Sequence, residues 1–142
     1  MPKKLPPIRI GIVGSRRRNT ISDRKFVFEI VRAAMQRHER VTVVSGGAKG
    51  PDTFAEQAAD AHGLEKIIHR VPAAESRWDF RQKAYARNRD IVIDSDTVFA
   101  LVHPDRKGGT ENTIEHAVEL GKKVFLVDRD GRVYLSRMDR KT

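Results

Sequence analysis

Cysteine is absent from the chain, which excludes a disulfide framework, a thiolate metal site and a thiol nucleophile. Aromatic residues are scarce at 6%, with a single Trp. The core must therefore be built mainly from Val, Ile and Ala, within the 39% of residues that are hydrophobic. Long apolar runs are missing too. None is long enough to span a bilayer, and Met1-Pro2-Lys3-Lys4 leads into no signal-type apolar segment, so a cytoplasmic protein without membrane contact is expected. Acidic residues are outnumbered: 19 Asp and Glu stand against 28 Lys and Arg, a formal charge of +9. That excess suits a phosphorylated partner, nucleotide or nucleic acid, although it also serves solubility. The five histidines, at 38, 62, 69, 103 and 116, show no metal-ligand spacing, and no metal site is expected. Ser15 and Ser45 follow strand-like runs but lie outside any Gly-x-Ser-x-Gly pattern, which argues against a hydrolase nucleophile.

What the chain does contain is a strand, a glycine turn and an alanine-rich helix in its centre. Val41 to Val44 suits a strand covered on both faces. Ser45-Gly46-Gly47-Ala48-Lys49-Gly50-Pro51-Asp52 then turns sharply, with Pro51 at the first helical position and Gly63 just past the helix end. Phe54, Ala55, Ala58, Ala59 and His62 share one face of that helix. A helix N-terminus behind glycines favours anions, because its N–H groups lack partners and its dipole is positive there. The loop is not a Walker A sequence, since Gly50 is followed by Pro51 rather than Lys-Ser/Thr.

The rest of the chain repeats the theme. A basic, proline-containing lead (1–7) is expected to be poorly ordered. Ile8 to Val13 reads as a first strand ending at Gly14-Ser15-Arg16, without the spacing of a dinucleotide fingerprint. Asp23 to His38 reads as a helix with Val27, Ile30, Val31 and Ala34 buried. Glu65 to Val71 supplies a third strand. Ser76-Arg77-Trp78-Asp79 has capping-box spacing, and the stretch from there to Ile93 is one bent helix or two. Trp78 and Tyr85 read as core side chains, and the run from Arg77 to Arg89 as a solvated face. Thr97 to Val102, a helix from Thr110 to Leu120 and a strand from Lys123 to Val127 complete the set. Asp130-Gly131 turns into a short edge strand, Arg132 to Leu135, before a basic tail (136–142). Strands alternating with helices imply one α/β domain (8–135), with a mostly parallel sheet. Ligands of such sheets bind beyond the carboxyl ends of the strands. The glycine-bearing loops after strands one, two and four share that address.

Taken in series, Gly14-Ser15-Arg16, the 45–52 loop, Arg87-Asn88-Arg89-Asp90 and Gly108-Gly109-Thr110 resemble the SLOG superfamily of Rossmann-like nucleotide-binding domains, over residues 8 to 127. Within it the likeness is to the small group related to the YspA and YpsA proteins. More distantly, the chain is similar to the DNA-processing protein of natural transformation and to the phosphoribohydrolases that release cytokinins. The resemblance implies five strands in the order 3-2-1-4-5, helices on both faces, and a pocket for a nucleotide-derived ligand, with no cofactor required. Arg16, Lys49 and the amides around Gly46 and Gly47 would face phosphate or sugar. Gly108, Gly109 and Thr110 would receive phosphate, Asp52 would accept from ribose hydroxyls, and Arg87 and Asn88 would join the pocket. Gly14, Ser15, Ser45 and Gly50 complete the set.

Phosphoribohydrolases carry Pro-Gly-Gly-x-Gly-Thr-x-x-Glu in the fourth-strand loop. Aligned on Thr110, Asp105 replaces that proline, Arg106 and Lys107 replace two glycines, and Thr113 replaces the catalytic glutamate. Binding of a nucleotide derivative, as sensor or carrier, is therefore the leading expectation. Single-stranded nucleic-acid binding, through Arg16 to Arg18 and Arg77 to Arg89, is the alternative. Weak N-glycosidic hydrolysis, with Glu115 as the acid, is the third reading. Self-association stays open.

Overall fold

A computed structural model of the chain describes residues 3–136. The first two residues of the expected lead, and 137–142 of the expected basic tail, lie outside them. The elements run β1 (Ile8–Gly14), α1 (Ile21–Arg37), β2 (Val41–Ser45), α2 (Pro51–Ala61), β3 (Glu65–Ile68), α3 (Arg77–Asp94), β4 (Thr97–Leu101), α4 (Gly109–Glu119), β5 (Lys123–Val127) and β6 (Val133–Leu135).

The sheet order is β3-β2-β1-β4-β5-β6. The pairs from β3 to β5 are parallel, in the expected order 3-2-1-4-5, and β6, the short edge strand read at Arg132 to Leu135, runs antiparallel to β5, so the sheet is mixed and six-stranded rather than five-stranded. The added strand arises from its turn: Asp128 Oδ1 accepts from the N–H groups of Asp130 and Arg132, and Gly131 takes a positive φ. That reverses the chain within a few residues, too few for a crossover to a parallel strand.

Alternation along the strands divides the core in two. Ile10, Ile12, Val41, Val43, Leu101 and Val127 pack with Val27, Val31, Ala55 and Ala58 of α1 and α2. Val13, Val44, Val98, Ala100 and Leu126 point the other way, against Ile91, Val92, Ile114 and Ala117 of α3 and α4. β2 is buried along its whole length, as its β-branched run predicts. The expected stripe of α1 is buried at Val27, Ile30 and Val31, with Ala34 packed beside it.

Three expectations change. Lys4 and Leu5 of the lead are tied down: Leu5 bridges to His38, its N–H donates to Arg37 O (2.8 Å), and Lys4 Nζ reaches Met35 O. The stretch from Arg77 to Asp94 is one helix, started by Ser76, whose hydroxyl accepts from Asp79 N–H. β3 ends at Ile68, short of Val71, where its partner β2 ends at Ser45; the His69 N–H still donates to Ser45 O (2.8 Å), and its carbonyl accepts from Arg87 at 3.2 Å.

Candidate functional site

The strand order reverses between β1 and β4, because β1 leads into α1 on one face of the sheet and β4 into α4 on the other. The loops leaving those strands must diverge, which opens a crevice at their carboxyl ends. A cleft of about 310 Å³ lies there, lined by Gly14, Ser15 and Arg16 after β1 and by Lys107, Gly108, Gly109 and Thr110 after β4. Ala48 and Asp52 close one side, and Phe80, Ala84, Tyr85, Arg87, Asn88 and Ile91 of α3 close the other. A larger hollow of about 550 Å³ is apolar, lined by Ile8, Phe26, Phe99 and Phe125, and takes in none of the predicted residues.

The floor of the cleft is held by an internal network. Asp52 is buried, and its Oδ2 accepts from Gly46 N–H (3.0 Å) and Ala48 N–H (3.3 Å). Burial raises its pKa from 3.8 to about 6, against the lowering effect of those N–H donors and of the Arg87 charge. Arg87 donates to Gly46 O (2.5 Å) and His69 O (3.2 Å), and its Nε to Asn88 Oδ1 (3.0 Å). Burial lowers the Arg87 pKa, while the Asp52 charge opposes that shift. Asn88 passes the chain of contacts on to α4, donating to Gly109 O (3.3 Å) and Asn112 Oδ1 (3.1 Å). A Cβ on Gly46 would lie 2.6 Å from the Arg87 guanidinium and 2.8 Å from Asp52 Oδ2, so only glycine fits between them.

This network revises the division of labour among the loops. The Gly46 N–H is taken by Asp52 and is not offered to a phosphate. Gly47 takes φ +72°, and its missing Cβ faces Arg70 rather than the cleft. Lys49 is exposed and outside the lining, and the Ser45 hydroxyl donates to Glu56 Oε2 (3.1 Å). Gly50, at φ +85°, starts α2 next to the Ser15 and Arg18 carbonyls. Gly14 leaves room for the Pro51 ring and the Leu101 carbonyl, so it serves close packing of strand on helix.

The anion-attracting end of the cleft is instead at α4. Its first residues are Gly109 and Thr110, and its N-cap, Gly108, has no side chain to occupy the free N–H groups. An added Cβ at Gly109 would meet only Asn88 Nδ2, at 3.8 Å. Thr110 makes no side-chain hydrogen bond among the described residues, and Arg16 and Lys107 in the lining have no ion-pair partner among them. Thr113 stands one turn further in, its hydroxyl donating to Gly109 O (3.1 Å), at the place a phosphoribohydrolase would hold its glutamate. Glu115 is exposed and does not line the cleft, so the structure does not bring the expected acid to the site. Two residues along a helix turn a side chain by about 200°, which carries Glu115 to the face opposite Thr113.

Two groups of residues depart from their sequence reading. Trp78 and Tyr85 are not core: they are 71% and 39% exposed, and Tyr85 forms part of the cleft wall together with Phe80, itself 45% exposed. The arginine cluster after β1 divides three ways. Arg16 lines the cleft and Arg17 pairs with Asp105. Arg18 is buried, bound to Asp23 Oδ1 (2.8 Å) and to the carbonyls of Val102, Val127 and Asp128. Among the described residues no His, Cys, Asp and Glu cluster could hold a metal ion, and no helix is long and apolar enough to cross a membrane.

The fold and this crevice define a Rossmann-like α/β domain. Residues 2–69, from the lead through α2 to β3, match the family described as DNA recombination-mediator protein A. The fold is similar to that of DNA processing protein A (DprA) from Streptococcus pneumoniae, with a TM-score of 0.66 at 23% identity over 84% of this chain. The chain covers 50% of that protein. The chain thus resembles that family over residues 2–69 and DprA in fold. Glycinamide ribonucleotide transformylase 1 from Symbiobacterium toebii aligns over 84% of the chain and 50% of its own, at 16% identity and a TM-score of only 0.39. No curated protein matches the chain.

Proposed function

We propose that the cleft binds a nucleotide or a nucleotide-derived phosphorylated molecule, as a sensor or carrier that needs no cofactor. The observation that carries this reading is the pairing of two chemistries across one crevice. On one side the uncapped α4 N-terminus joins Thr110, Arg16 and Lys107, a setting that favours phosphate. On the other, Phe80 and Tyr85 present partly exposed rings on which a base can stack. Asp52, also in the lining, is an acceptor suited to sugar hydroxyls and repulsive to phosphate, which would orient the ligand with its phosphate toward α4. The likeness to the YspA-related proteins points the same way. Titration calorimetry against nucleoside mono- and diphosphates and ADP-ribose tests the reading. Binding that weakens at least tenfold in Thr110→Ala with Lys107→Ala supports it, and no binding at millimolar ligand by folded protein overturns it.

A second reading is favoured by the match of residues 2–69 to a family named for DNA recombination, together with the charge of +9. Here the nucleotide in the cleft belongs to a single strand of nucleic acid. A mobility shift with oligonucleotide at low salt, lost in Arg16→Glu but kept in Lys49→Ala, is the expected result. Absence of any shift at low salt removes this reading and leaves the first standing.

A further inference from the structure

Away from the cleft, α1 leaves a hollow between itself and β4 and β5. Phe26, Ile30, Ala33, Ala34 and Arg37 recur at helical spacing, so one stripe of α1 roofs this space. Its floor is Phe99 and Phe125, paired across the two strands with their rings stacked at 5.3 Å. Phe26, Phe99 and Phe125 are only half-buried, although helix and sheet supply them to the same space. At one end Gly131 packs directly on the Phe26 ring, and at the other Leu5 bridges to His38. The volume of about 550 Å³ lies within the range of small-molecule sites. Apolar hollows hold organic molecules more readily than water.

The polar residues of the lining gather at one end. Thr97 and Lys123 open β4 and β5 as paired residues, and Arg37 and His38 close α1. The Arg37 guanidinium and Lys123 Nζ have no hydrogen-bond or ion-pair partner among the described residues. The one acid of the lining, Glu29, stands eight residues before Arg37, about 12 Å away along the helix axis. The carbonyl end of α1 disfavours an anion, but Met35 O already accepts from Lys4 Nζ (3.1 Å) and Arg37 O from the Leu5 N–H (2.8 Å). From Lys123 to Val127 the floor runs about 13 Å, the length of roughly ten extended carbon atoms.

We infer that this hollow is a second ligand site, which takes a fatty acid of medium chain length. The chain lies on Phe99 and Phe125 beneath α1, with the carboxylate at Arg37 and Lys123. Charge selects this occupant over two others. The chain's own end carries Arg137, Arg140 and Lys141 against Asp139, and a second copy brings a charge of +9 to the same cations. No residue lines both this site and the cleft, so the inference stands apart from nucleotide binding.

Titration calorimetry of the full chain with decanoate tests it. Decanoate should bind, and each methylene removed toward hexanoate should weaken binding by about threefold or more. Arg37→Ala combined with Lys123→Ala should weaken decanoate by about tenfold or more and leave decanol unchanged. Ala33→Trp fills the hollow from an exposed helix position, and should abolish binding while circular dichroism reports unaltered folding. Saturating adenosine monophosphate should not compete with decanoate. No decanoate binding by folded wild type overturns the proposal, as does binding undiminished in Ala33→Trp. Decylammonium binding as tightly as decanoate overturns the assigned head group and with it the fatty-acid site. A wild-type dimer that Ala33→Trp converts to monomer, with no decanoate bound, gives the face to self-association and also overturns the proposal.

Discussion

At Asp52 two requirements oppose each other, since the loop needs an acceptor for two N–H groups and burial disfavours the charge that makes the acceptor strong. The folded-state pKa of about 6 lies above the ordinary 3.8, so the folded protein keeps this proton over a range in which the unfolded chain has lost it. The group's contribution to stability is fully present below about pH 3.8 and is lost as pH rises through about 6. In Asp52→Asn this titration is gone. Relative to that variant, the wild type should lose up to about 3 kcal/mol between pH 4 and pH 7. Thermal melts at several pH values would show the two Tm curves diverging; a constant offset would mean the carboxyl does not titrate in that range. The glycines give a second contrast. Gly109→Val should fold normally and bind nucleotide at least about tenfold more weakly, a loss of about 1.4 kcal/mol, because the new side chain stands in open space at the start of α4. Gly47→Val should instead lower Tm without a specific effect on affinity, because φ +72° strains any branched residue and Arg70 Nη1 lies 2.6 Å from the new Cβ. Calorimetry and melting on both variants separate ligand contact from backbone strain. The resemblance pointed to both glycines as ligand-facing. Which of them could contact a ligand depends on φ and on neighbours remote in sequence.

Among the elements, α1 shows how one residue couples several. Thr20 and Asp23 form its capping box, each side chain accepting from the other's N–H. Asp23 also holds Arg18, whose guanidinium ties the exits of β4 and β5 to the start of α1. Arg18→Met should therefore cost about 3 kcal/mol or more in a denaturant melt, because it leaves Asp23 and the strand-end carbonyls without their donor. A loss below about 1 kcal/mol would show that water replaces the guanidinium. The sequence placed α1 and its buried stripe well, because periodicity is a local property. It could not separate buried Arg18 from exposed Arg16 and Arg17, because that depends on carbonyls more than 80 residues away. α3 shows the reverse error. Trp78 and Tyr85 look like core by residue type, yet among the described residues no element covers the half of the helix that carries them enough to bury any residue from Arg77 to Arg87.

For the molecule as a whole, charge and shape lead to one further measurement. If a strand crosses both the cleft and α3, several phosphates are neutralised at once. Log affinity should then fall linearly with log salt, by about 0.7 per phosphate contacted. A mononucleotide held only at α4 should show a much shallower dependence, and equal slopes would place all the contacts in the cleft. The sequence by itself determined the alternation of strands and helices, the buried faces of α1 and α2 and the loops that gather at one edge of the sheet. These come from periodicity and from turn residues, which act over a few neighbours. Tertiary structure alone decided which loop could receive an anion. Asp52 reaches back to occupy the amides after β2, while among the described residues no side chain caps those at α4, whose cap is a glycine. It also turned Glu115 away from the cleft and put Thr113 in its place, since a helix face acquires a meaning only once its packing partner is fixed.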